Sequence, residues 1–414
     1  MNRGSNARII RFAVFALVLI TCGFILSKGS SYSGSSLTPA NVNPGAAKEV
    51  PLGEVNAPAG GVAGNAGAQA AGDLVNQAVQ QSKVAPNKGE KVKATFVSLA
   101  RNSDLHSLAG SIRSVEDRFN HQYNYDWVFL NDKEFSEEFK TEISALVSGK
   151  AIFGLIPAEQ WGYPEWIDKE KAALVREEMK EKKIIYGDSV SYRHMCRYES
   201  GFFWRHEALE PYEFYWRVEP DTKIYCNIDY DVFKWMKDNN KAYGWTISLP
   251  EYIETIPTLW DTTKKFMAEN PQFVHKNNMM DWISDDGGET YNKCHFWSNF
   301  EIASLDLWRS EAYRKYFEYL DKAGGFFYER WGDAPVHSIA AALFLSRDQI
   351  HFFNDVGYYH VPFHNCPVNK ETRLKNKCVC NPNEDFSWKA YSCTGKFHKV
   401  NNIPRPKGWE DYTG

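Results

Sequence analysis

The sequence predicts an α/β fold in which a mixed, mostly parallel sheet is flanked by helices. Beyond residue 91, short runs rich in Val, Ile, Phe and Trp alternate with longer segments whose apolar residues recur at helical spacing. Strands that alternate with helices are typical of βαβ units, which place parallel strands in one sheet. The chain has 414 residues, of which 43% are hydrophobic, and it is therefore long enough to bury the core of such a fold.

The individual elements follow from the same patterns. The predicted strands are the apolar runs at residues 92–99, 125–130, 152–156, 214–218, 243–249 and 350–353. The predicted helices are the runs at residues 105–115, 134–147, 166–183 and 335–345. Asp229 and Asp231 are expected to start a further helix that runs through Trp235, because aspartate is a favoured N-cap residue.

The first 90 residues predict a membrane anchor and a stem. Arginines precede an uncharged apolar run at residues 12–26, which favours a type II orientation with a cytoplasmic tail at 1–11 and a signal-anchor at 12–27. A cleaved signal peptide is the alternative, because its apolar core has a similar length. Residues 28–90 lack Trp, Phe and Cys, which predicts a flexible luminal stem. Residues 91–414 are then the folded luminal domain.

Charge and motif content exclude several classes of function. The net charge of -4 gives no basic face for a nucleic-acid partner. Neither a GxxxxGK[ST] phosphate loop nor a GxGxxG fingerprint occurs, which disfavours a P-loop nucleotidase and a dinucleotide-dependent oxidoreductase. Aromatic residues make up 15% of the chain, and flat rings suit the packing of sugars as well as the filling of a core. Trp297, Trp331 and Tyr328 are the candidates for sugar packing.

Cysteine usage suits an oxidising compartment. Seven cysteines lie beyond the apolar run, and disulfides can form among them if this part of the chain is luminal. Since seven is odd, at least one thiol is expected to stay free or to pair with another chain. Cys378 and Cys380 are separated by one residue, which is not the spacing of a structural zinc site.

Two groups of residues are candidates for chemistry. An apolar strand runs directly into Glu219, Pro220 and Asp221, and carboxylates at the end of a strand in an open α/β sheet lie where such folds bind ligands. Their oxygens suit Mn²⁺ or Mg²⁺, whereas the alternative is a solvated turn. The second group is Ser298 to Glu301, where the carboxylate is a catalytic candidate. The alternative is a capping box that starts a helix.

Four long blocks of this sequence resemble the fungal α-1,2-mannosyltransferases of glycosyltransferase family 15, which are type II membrane enzymes of the Golgi. The blocks are YWRVEPDTKIYCNIDYDVF (residues 215–233), CHFWSNFEIASLDLWR (294–309), FYERWGDAPVH (327–337) and GYYHVPFHN (357–365). The similarity extends from residue 92 to the C-terminus. It implies a GT-A type, Rossmann-like fold, GDP-mannose as donor, Mn²⁺ as cofactor and retention of the α configuration.

The resemblance also implies roles for particular residues. Glu219 and His360 are expected to bind the metal, and His337 and His364 rank below His360 as ligands. Glu301 is the expected catalytic residue that faces the anomeric carbon, either as a nucleophile or as an aid to same-face attack.

The expected substrate-binding residues are Tyr192, Arg217, Asp221 and Asp333. Arg193 and Arg197 are further candidates for holding the diphosphate. Tyr192 could equally belong to the core, and Asp333 could equally cap a helix.

The predicted function is therefore mannosyl transfer to mannose-terminated glycans of glycoproteins, O-linked or N-linked, at the Golgi membrane. Two other classes stay open: a catalytically inactive mannan-binding or scaffold protein, and a secreted glycosidase with paired carboxylates. A scaffold need bind neither GDP nor Mn²⁺, and a glycosidase needs no nucleotide.

Overall fold

Strands and helices alternate along residues 91–413, which are the residues that the computed structural model describes. The predicted tail, signal-anchor and stem lie outside these described residues. Within residues 91–413 no helix has both the length and the apolar character needed to cross a membrane.

The strands of this region are short, and most are buried. They are β1 (Ala94–Leu99), β2 (Asp126–Asn131), β3 (Ala151–Leu155), β4 (Phe214–Val218), β5 (Lys223–Ile224), β6 (Tyr243–Trp245), β7 (Ser248–Pro250), β8 (Cys294–Phe296), β9 (Phe300–Ser304), β10 (Ile350–Phe352), β11 (Tyr358–His360) and β12 (Phe363–Asn365).

The α-helices connect and cover these strands. They are α1 (Leu105–Arg118), α2 (Glu137–Leu146), α3 (Lys169–Glu181), α4 (Val190–Gly201), α5 (Val232–Asp238), α6 (Leu259–Glu269), α7 (Met280–Ile283), α8 (Leu305–Arg309), α9 (Glu311–Ala323), α10 (Gly325–Tyr328), α11 (Asp333–Phe344), α12 (Lys370–Lys375) and α13 (Thr394–Val400).

The main sheet of the described region has the strand order β10-β6-β9-β4-β1-β2-β3. Strand β1 pairs in parallel with β2 and with β4, and β2 pairs in parallel with β3. The pairing of β10 with β6 is also parallel. Strand β9 alone among these runs antiparallel, between β4 and β6. The predicted mixed, mostly parallel sheet is therefore confirmed.

Several predicted elements agree closely with the structure. The strand at 214–218 has the predicted bounds, and Asp231 caps α5 by accepting hydrogen bonds from the backbone N–H groups of Phe233 and Lys234. The strand predicted at residues 243–249 is confirmed only for residues 243–245, and its predicted length was wrong. The chain leaves the main sheet after Trp245, and residues 248–250 pair with β8 in a separate two-stranded sheet. An apolar run cannot reveal such a change of partner, because both halves are buried.

The main sheet carries a different core on each face. Side chains alternate between faces along a strand, so neighbours in β4 belong to different layers. Trp216 packs with Phe96 on one face, beside Phe233 of α5. Tyr215 points to the opposite face, where it packs against Phe203. The second face contains the candidate site described below.

The disulfide prediction is confirmed. Among the described residues the pairs are Cys226–Cys378, Cys294–Cys393 and Cys366–Cys380, and Cys196 is a free, buried thiol. Two of these pairs close loops of 152 and 99 residues, and they attach the C-terminal segment to the body of the domain.

Candidate active site

Glu219 lies in a tight turn at the carboxyl end of β4. The turn includes Asp221, which is exposed and has a left-handed backbone with φ of 62°. Thr222 fixes the turn from both sides: its hydroxyl donates to the Glu219 carbonyl at 2.8 Å, and its N–H donates to Ser111 Oγ of α1 at 2.9 Å. The Glu219 carboxylate is therefore held at the edge of the sheet, with 27% of its side chain exposed.

A small sheet brings His360 to this turn. Strand β11 pairs antiparallel with β5, which places Tyr359 opposite Lys223 and His360 beside the turn. His360 Nε2 lies 3.7 Å from Glu219 Oε2, and its Nδ1 lies 3.1 Å from the Val361 carbonyl oxygen. Because a carbonyl can only accept, Nδ1 carries a proton, and Nε2 is the ring nitrogen that faces Glu219.

This pair of donors fits a manganese ion. A carboxylate oxygen and an imidazole nitrogen are both suitable ligands for Mn²⁺, and the second ring nitrogen is already oriented by a carbonyl. Across the described residues no cluster of three or more His, Cys, Asp or Glu side chains is arranged to hold a metal. A metal bound by Glu219 and His360 therefore leaves coordination positions for substrate oxygens or water. His364 of β12 lies opposite Tyr359, not His360, and its Nδ1 lies 3.1 Å from the Tyr225 hydroxyl.

Arg217 is the centre of charge in the site. Its buried guanidinium donates to Asp333 Oδ2 at 2.6 Å and to Glu219 Oε1, and it lies 3.6 Å from Glu199 Oε2. Burial alone would lower the pKa of Arg217, but Glu199, Glu219 and Asp333 raise it well above its usual value. One permanent positive charge is therefore shared by three carboxylates.

Glu199 and Asp333 respond differently to this environment. Burial raises the pKa of Glu199 to about 7, despite the opposing effect of Arg217. Burial would also raise the pKa of Asp333, but Arg217 and His337 hold it below its usual value. Glu199 therefore titrates near neutrality, whereas Asp333 stays ionised.

Asp333 belongs to the site and does not act as a helix cap. It is the first residue of α11, whose N-cap is Gly332. Its Oδ2 accepts hydrogen bonds from Arg217 and, at 2.8 Å, from Ser298 Oγ. The capping alternative was therefore wrong for Asp333, because its carboxylate accepts hydrogen bonds from Arg217 and Ser298 of other segments and not from the backbone of its own helix.

Glu301 is completely buried beneath this cluster. It lies in β9 directly opposite Arg217 of β4, so the capping-box alternative for residues 298–301 was also wrong. Its Oε1 accepts from the Tyr215 hydroxyl, and its Oε2 accepts from the Tyr243 hydroxyl at 2.7 Å and lies 2.9 Å from His337 Nδ1. Both oxygens of the carboxylate thus have protein partners.

Glu301 and His337 form a buried ion pair. The second ring nitrogen of His337 lies 3.1 Å from the Glu199 carbonyl oxygen, so both nitrogens face acceptors and the imidazolium is favoured. Burial would lower the pKa of His337, but Glu301 raises it. Burial would raise the pKa of Glu301, but His337 and the Tyr215 hydroxyl hold it below its usual value. The two charges therefore stabilise each other.

This arrangement bears on the predicted role of Glu301. A residue that attacks an anomeric carbon must present a free oxygen to the sugar, yet Glu301 has 0% exposure and no unoccupied oxygen. The nucleophilic role stays a prediction, and one that this geometry does not favour. The geometry favours a positioning role, in which Glu301 fixes β4 and α11 beneath Arg217 and Asp333.

Tyr192 lies at the border between site and core. Its ring is partly buried and stacks on Tyr186 at 4.5 Å, with the Arg330 guanidinium 5.1 Å from the ring centroid. Burial raises the pKa of Tyr192 well above its usual value, and the charges of Asp333 and Glu251 raise it further. Tyr192 is therefore close to the Asp333 side of the site.

The other predicted arginines are structural. Arg197 forms a bidentate pair with Asp321 at 2.7 and 2.8 Å, and Arg193 donates to the backbone carbonyls of Ser189 and Glu329. Both arginine side chains are buried and bound to protein groups, which does not favour the predicted role of holding a diphosphate.

The predicted sugar-packing aromatics divide into two kinds. Trp331 is buried in the core, and the Tyr328 hydroxyl accepts from the backbone N–H of Asp168 at 2.8 Å. Trp297 is partly buried and lies edge-on to His360, with 4.8 Å between ring centroids. Trp297 alone of these three therefore borders the candidate metal site.

Sequence reasoning missed the partners that hold the site together. These are Glu199, Tyr215, Tyr243 and Ser298, together with His337, which was ranked only as a weak metal candidate. One signal was present, because strand alternation places Tyr215 and Arg217 on the same face of β4. The contributions of α4 and α11 depend on helix packing, which no local pattern specifies.

Comparison with known proteins gives a consistent result. The family described as glycolipid 2-α-mannosyltransferase matches residues 62–402. Glycolipid 2-α-mannosyltransferase 1 of Candida albicans is 64% identical over 427 residues, which cover 99% of both chains. The α-1,2 mannosyltransferase KTR1 of Saccharomyces cerevisiae is 66% identical over 326 residues, which cover 79% of this chain and 83% of that protein.

Solved structures with the same fold carry ligands. Core-mannan synthase A of Aspergillus fumigatus, in an Mn/GDP form, superposes with a TM-score of 0.71 at 44% identity and covers 76% of this chain and 87% of its own. The mannosyltransferase Ktr4p of Saccharomyces cerevisiae in complex with GDP superposes with a TM-score of 0.71 at 35% identity, over 82% of this chain and 94% of its own.

We expect Glu301 and His337 to be strongly coupled in stability. Glu301→Gln and His337→Gln should each lower the free energy of unfolding by about 3 kcal/mol, because each leaves a buried charge without its partner. The double variant should lose at least about 1 kcal/mol less than the sum of the two single losses. Urea unfolding followed by tryptophan fluorescence measures all three.

The matched control is an exposed ion pair on α1, between Arg113 and Asp117. Arg113→Gln and Asp117→Asn should each change the free energy of unfolding by no more than about 0.5 kcal/mol. Strictly additive losses at Glu301 and His337 would contradict the buried ion pair.

We expect Glu199 to make stability depend on pH. Its pKa is raised in the folded protein, so its contribution to stability is fully present below about pH 4.5 and is lost as pH rises through about 7. Glu199→Gln cannot ionise, and its stability relative to the parent chain should therefore increase between pH 5 and pH 8. If the difference in unfolding free energy between the parent chain and Glu199→Gln stayed constant across this range, Glu199 would be ionised throughout.

Proposed function

The chain belongs to the glycolipid 2-α-mannosyltransferase family, glycosyltransferase family 15, and we propose that it transfers mannose from GDP-mannose to a mannose acceptor in α-1,2 linkage with retention of configuration. The observation that carries this proposal is the Glu219–His360 pair at the end of β4, oriented by Arg217. Two related enzymes have been solved with GDP, one of them with manganese, and each shares the fold of this chain.

Glu219 and His360 would hold Mn²⁺, which supplies the positive charge that offsets the developing charge of the departing GDP. Arg217 occupies one oxygen of Glu219 and leaves the other facing His360. The same guanidinium fixes Asp333 through Oδ2, and the second oxygen, Oδ1, would accept a hydrogen bond from a sugar hydroxyl. Asp221, exposed in the same turn, and Tyr192 complete the proposed substrate-binding residues.

In the proposed step, the 2-hydroxyl oxygen of the acceptor mannose bonds to the anomeric carbon of the donor. The bond from that carbon to the β-phosphate oxygen breaks, and GDP leaves with the bonding electron pair. The hydroxyl proton passes to the departing phosphate oxygen. No residue has to act as a strong general acid, because a diphosphate is already a good leaving group.

The burial of Glu301 favours same-face attack over a covalent intermediate. A covalent glycosyl-enzyme needs a carboxylate oxygen in contact with the sugar, whereas both Glu301 oxygens are bound by Tyr215, Tyr243 and His337. Same-face attack needs only that donor and acceptor are held together and that developing charge is stabilised. Glu301 then acts through its neighbours as a positioning residue.

We also propose that the enzyme is a single-pass type II protein of the Golgi membrane. The proposal depends on the arginines that precede the apolar run at residues 12–26. It also depends on residues 28–90, whose lack of Trp, Phe and Cys predicts a stem. The three disulfides of the described residues suit a luminal location. The acceptors would then be mannose-terminated O- or N-linked glycans of secretory glycoproteins.

We expect acceptor-dependent and metal-dependent release of GDP. The purified full chain, given GDP-mannose, Mn²⁺ and methyl-α-mannoside, should release GDP, and EDTA should abolish the release. Glu219→Ala and His360→Ala should each lower kcat/KM at least about 100-fold, because charge stabilisation at the diphosphate is lost. Circular dichroism should show that both variants stay folded.

Asp238→Ala is the matched control, because Asp238 is an exposed carboxylate at the end of α5. This variant should keep the activity of the parent chain. Full activity in Glu219→Ala would remove Glu219 from the site, and hydrolysis of mannosides without any nucleotide would replace the transferase proposal with a glycosidase.

A further inference from the structure

A row of aromatic side chains leads away from the candidate metal site. The rings follow one another from His360, with centroid separations of 4.8 Å to Trp297, 5.6 Å from Trp297 to Phe363, 4.1 Å from Phe363 to Phe386 and 6.3 Å from Phe386 to Tyr391. We call Trp297, Phe363, Phe386 and Tyr391 the aromatic strip. It connects the metal-binding edge of the site to the surface at Tyr391.

Tyr252 approaches the far end of the strip from another segment. Pro250 of β7 pairs with Cys294 of β8, and Cys294 is bonded to Cys393. The Cys393 N–H also donates to the carbonyl of Ser248 at 3.1 Å, so three segments meet at this point. Tyr252 follows Pro250 by two residues, and Tyr391 precedes Cys393 by two residues. The disulfide junction therefore places both tyrosines on one rim.

Both tyrosines are unusually open to solvent for such large side chains. Tyr252 is 46% exposed and Tyr391 is 49% exposed, whereas most aromatic residues of the described region are buried. Burial of part of its ring raises the pKa of Tyr391, and Tyr252 and Glu251 raise it further. This direction agrees with the disulfide junction, which brings the segments of Tyr252, Tyr391 and Glu251 together.

Glu251 connects this rim to the catalytic cluster. Its Oε1 lies 3.6 Å from the Arg330 guanidinium and accepts from the Tyr252 N–H at 2.8 Å. A side chain at Gly332 would place its Cβ 3.7 Å from Glu251 Oε2, and Gly332 directly precedes Asp333. A surface made of flat rings with a carboxylate between them matches the apolar faces and hydroxyl edges of a pyranose.

We propose that Tyr252 and Tyr391, the exposed end of the aromatic strip, form a subsite for the second mannose of an oligosaccharide acceptor. This inference depends on the proposed function, because it places the terminal mannose at Asp333 and the preceding one on the tyrosines. Glu251 lies between the two positions and accepts hydroxyl hydrogen bonds from either sugar. The subsite makes the enzyme prefer acceptors that already contain two or more mannose residues.

The kinetic test compares methyl-α-mannoside with its α-1,2-linked dimannoside as acceptors of the full chain. The parent chain should have a higher kcat/KM for the dimannoside. Tyr252→Ala and Tyr391→Ala should each lower the ratio of the two kcat/KM values, and loss of one sugar-stacking contact corresponds to about a tenfold change. Most of the change should be in KM for the dimannoside.

Three variants serve as controls. Tyr252→Phe and Tyr391→Phe keep the ring and should keep most of the dimannoside preference, which separates stacking from hydrogen bonding. Trp166→Ala removes an aromatic residue that is 42% exposed elsewhere, beside Asp321 and Lys322, and it should leave the ratio unchanged.

A binding measurement separates failure of the subsite from failure of the proposed function. Calorimetric titration with α-1,2-mannotriose, in the absence of donor, should show binding to the parent chain that weakens about tenfold in Tyr391→Ala. Equal affinity in both proteins, an unchanged acceptor ratio in the alanine variants, or a preference only for mannosylated peptides would overturn the inference. Absence of GDP release with every acceptor, while mannotriose still binds at Tyr391, would instead refute the transferase.

Discussion

The site depends on one buried positive charge. Arg217 lies between Glu199, Glu219 and Asp333, and without it these three carboxyl groups, two of them buried, would have no positive charge beside them. Its place is fixed by strand alternation in β4, which turns its side chain to the face opposite Trp216. The same guanidinium orients Glu219, the proposed metal ligand, and Asp333 at the start of α11, the proposed sugar ligand. In this proposal metal binding and sugar binding are linked through one side chain.

A second ion pair supports the first from below. Glu301 lies opposite Arg217 in the antiparallel partner strand, and its bond to His337 attaches β9 to α11. The network therefore fixes the relative position of the sheet and the helix that carries Asp333. This arrangement explains why a carboxylate that resembles a nucleophile in sequence is fully enclosed in the structure. In the proposed mechanism its contribution is to keep other groups in place.

Local patterns predicted much of the fold and pointed to Glu219 as a candidate metal ligand, but they did not predict the network. Alternation of strands and helices was sufficient to predict the mostly parallel sheet. Glu219 could be placed at the edge of that sheet because it follows a strand directly. The division of residues 243–249 between two sheets could not be predicted, since both parts are similarly apolar. The burial of Glu301 could not be predicted either, because it depends on partners from β6 and α11 that are remote in sequence. Resemblance supplied His360, which β11 brings to the site by pairing with β5.

The most direct measurement is a crystal structure of the chain with GDP and Mn²⁺, in which anomalous scattering locates the metal. The account predicts one manganese peak between Glu219 and His360, with GDP oxygens completing its coordination. Glu301 should stay bonded to His337, Tyr215 and Tyr243. A manganese ion bound away from Glu219 and His360, or a Glu301 side chain turned out toward the sugar, would contradict it.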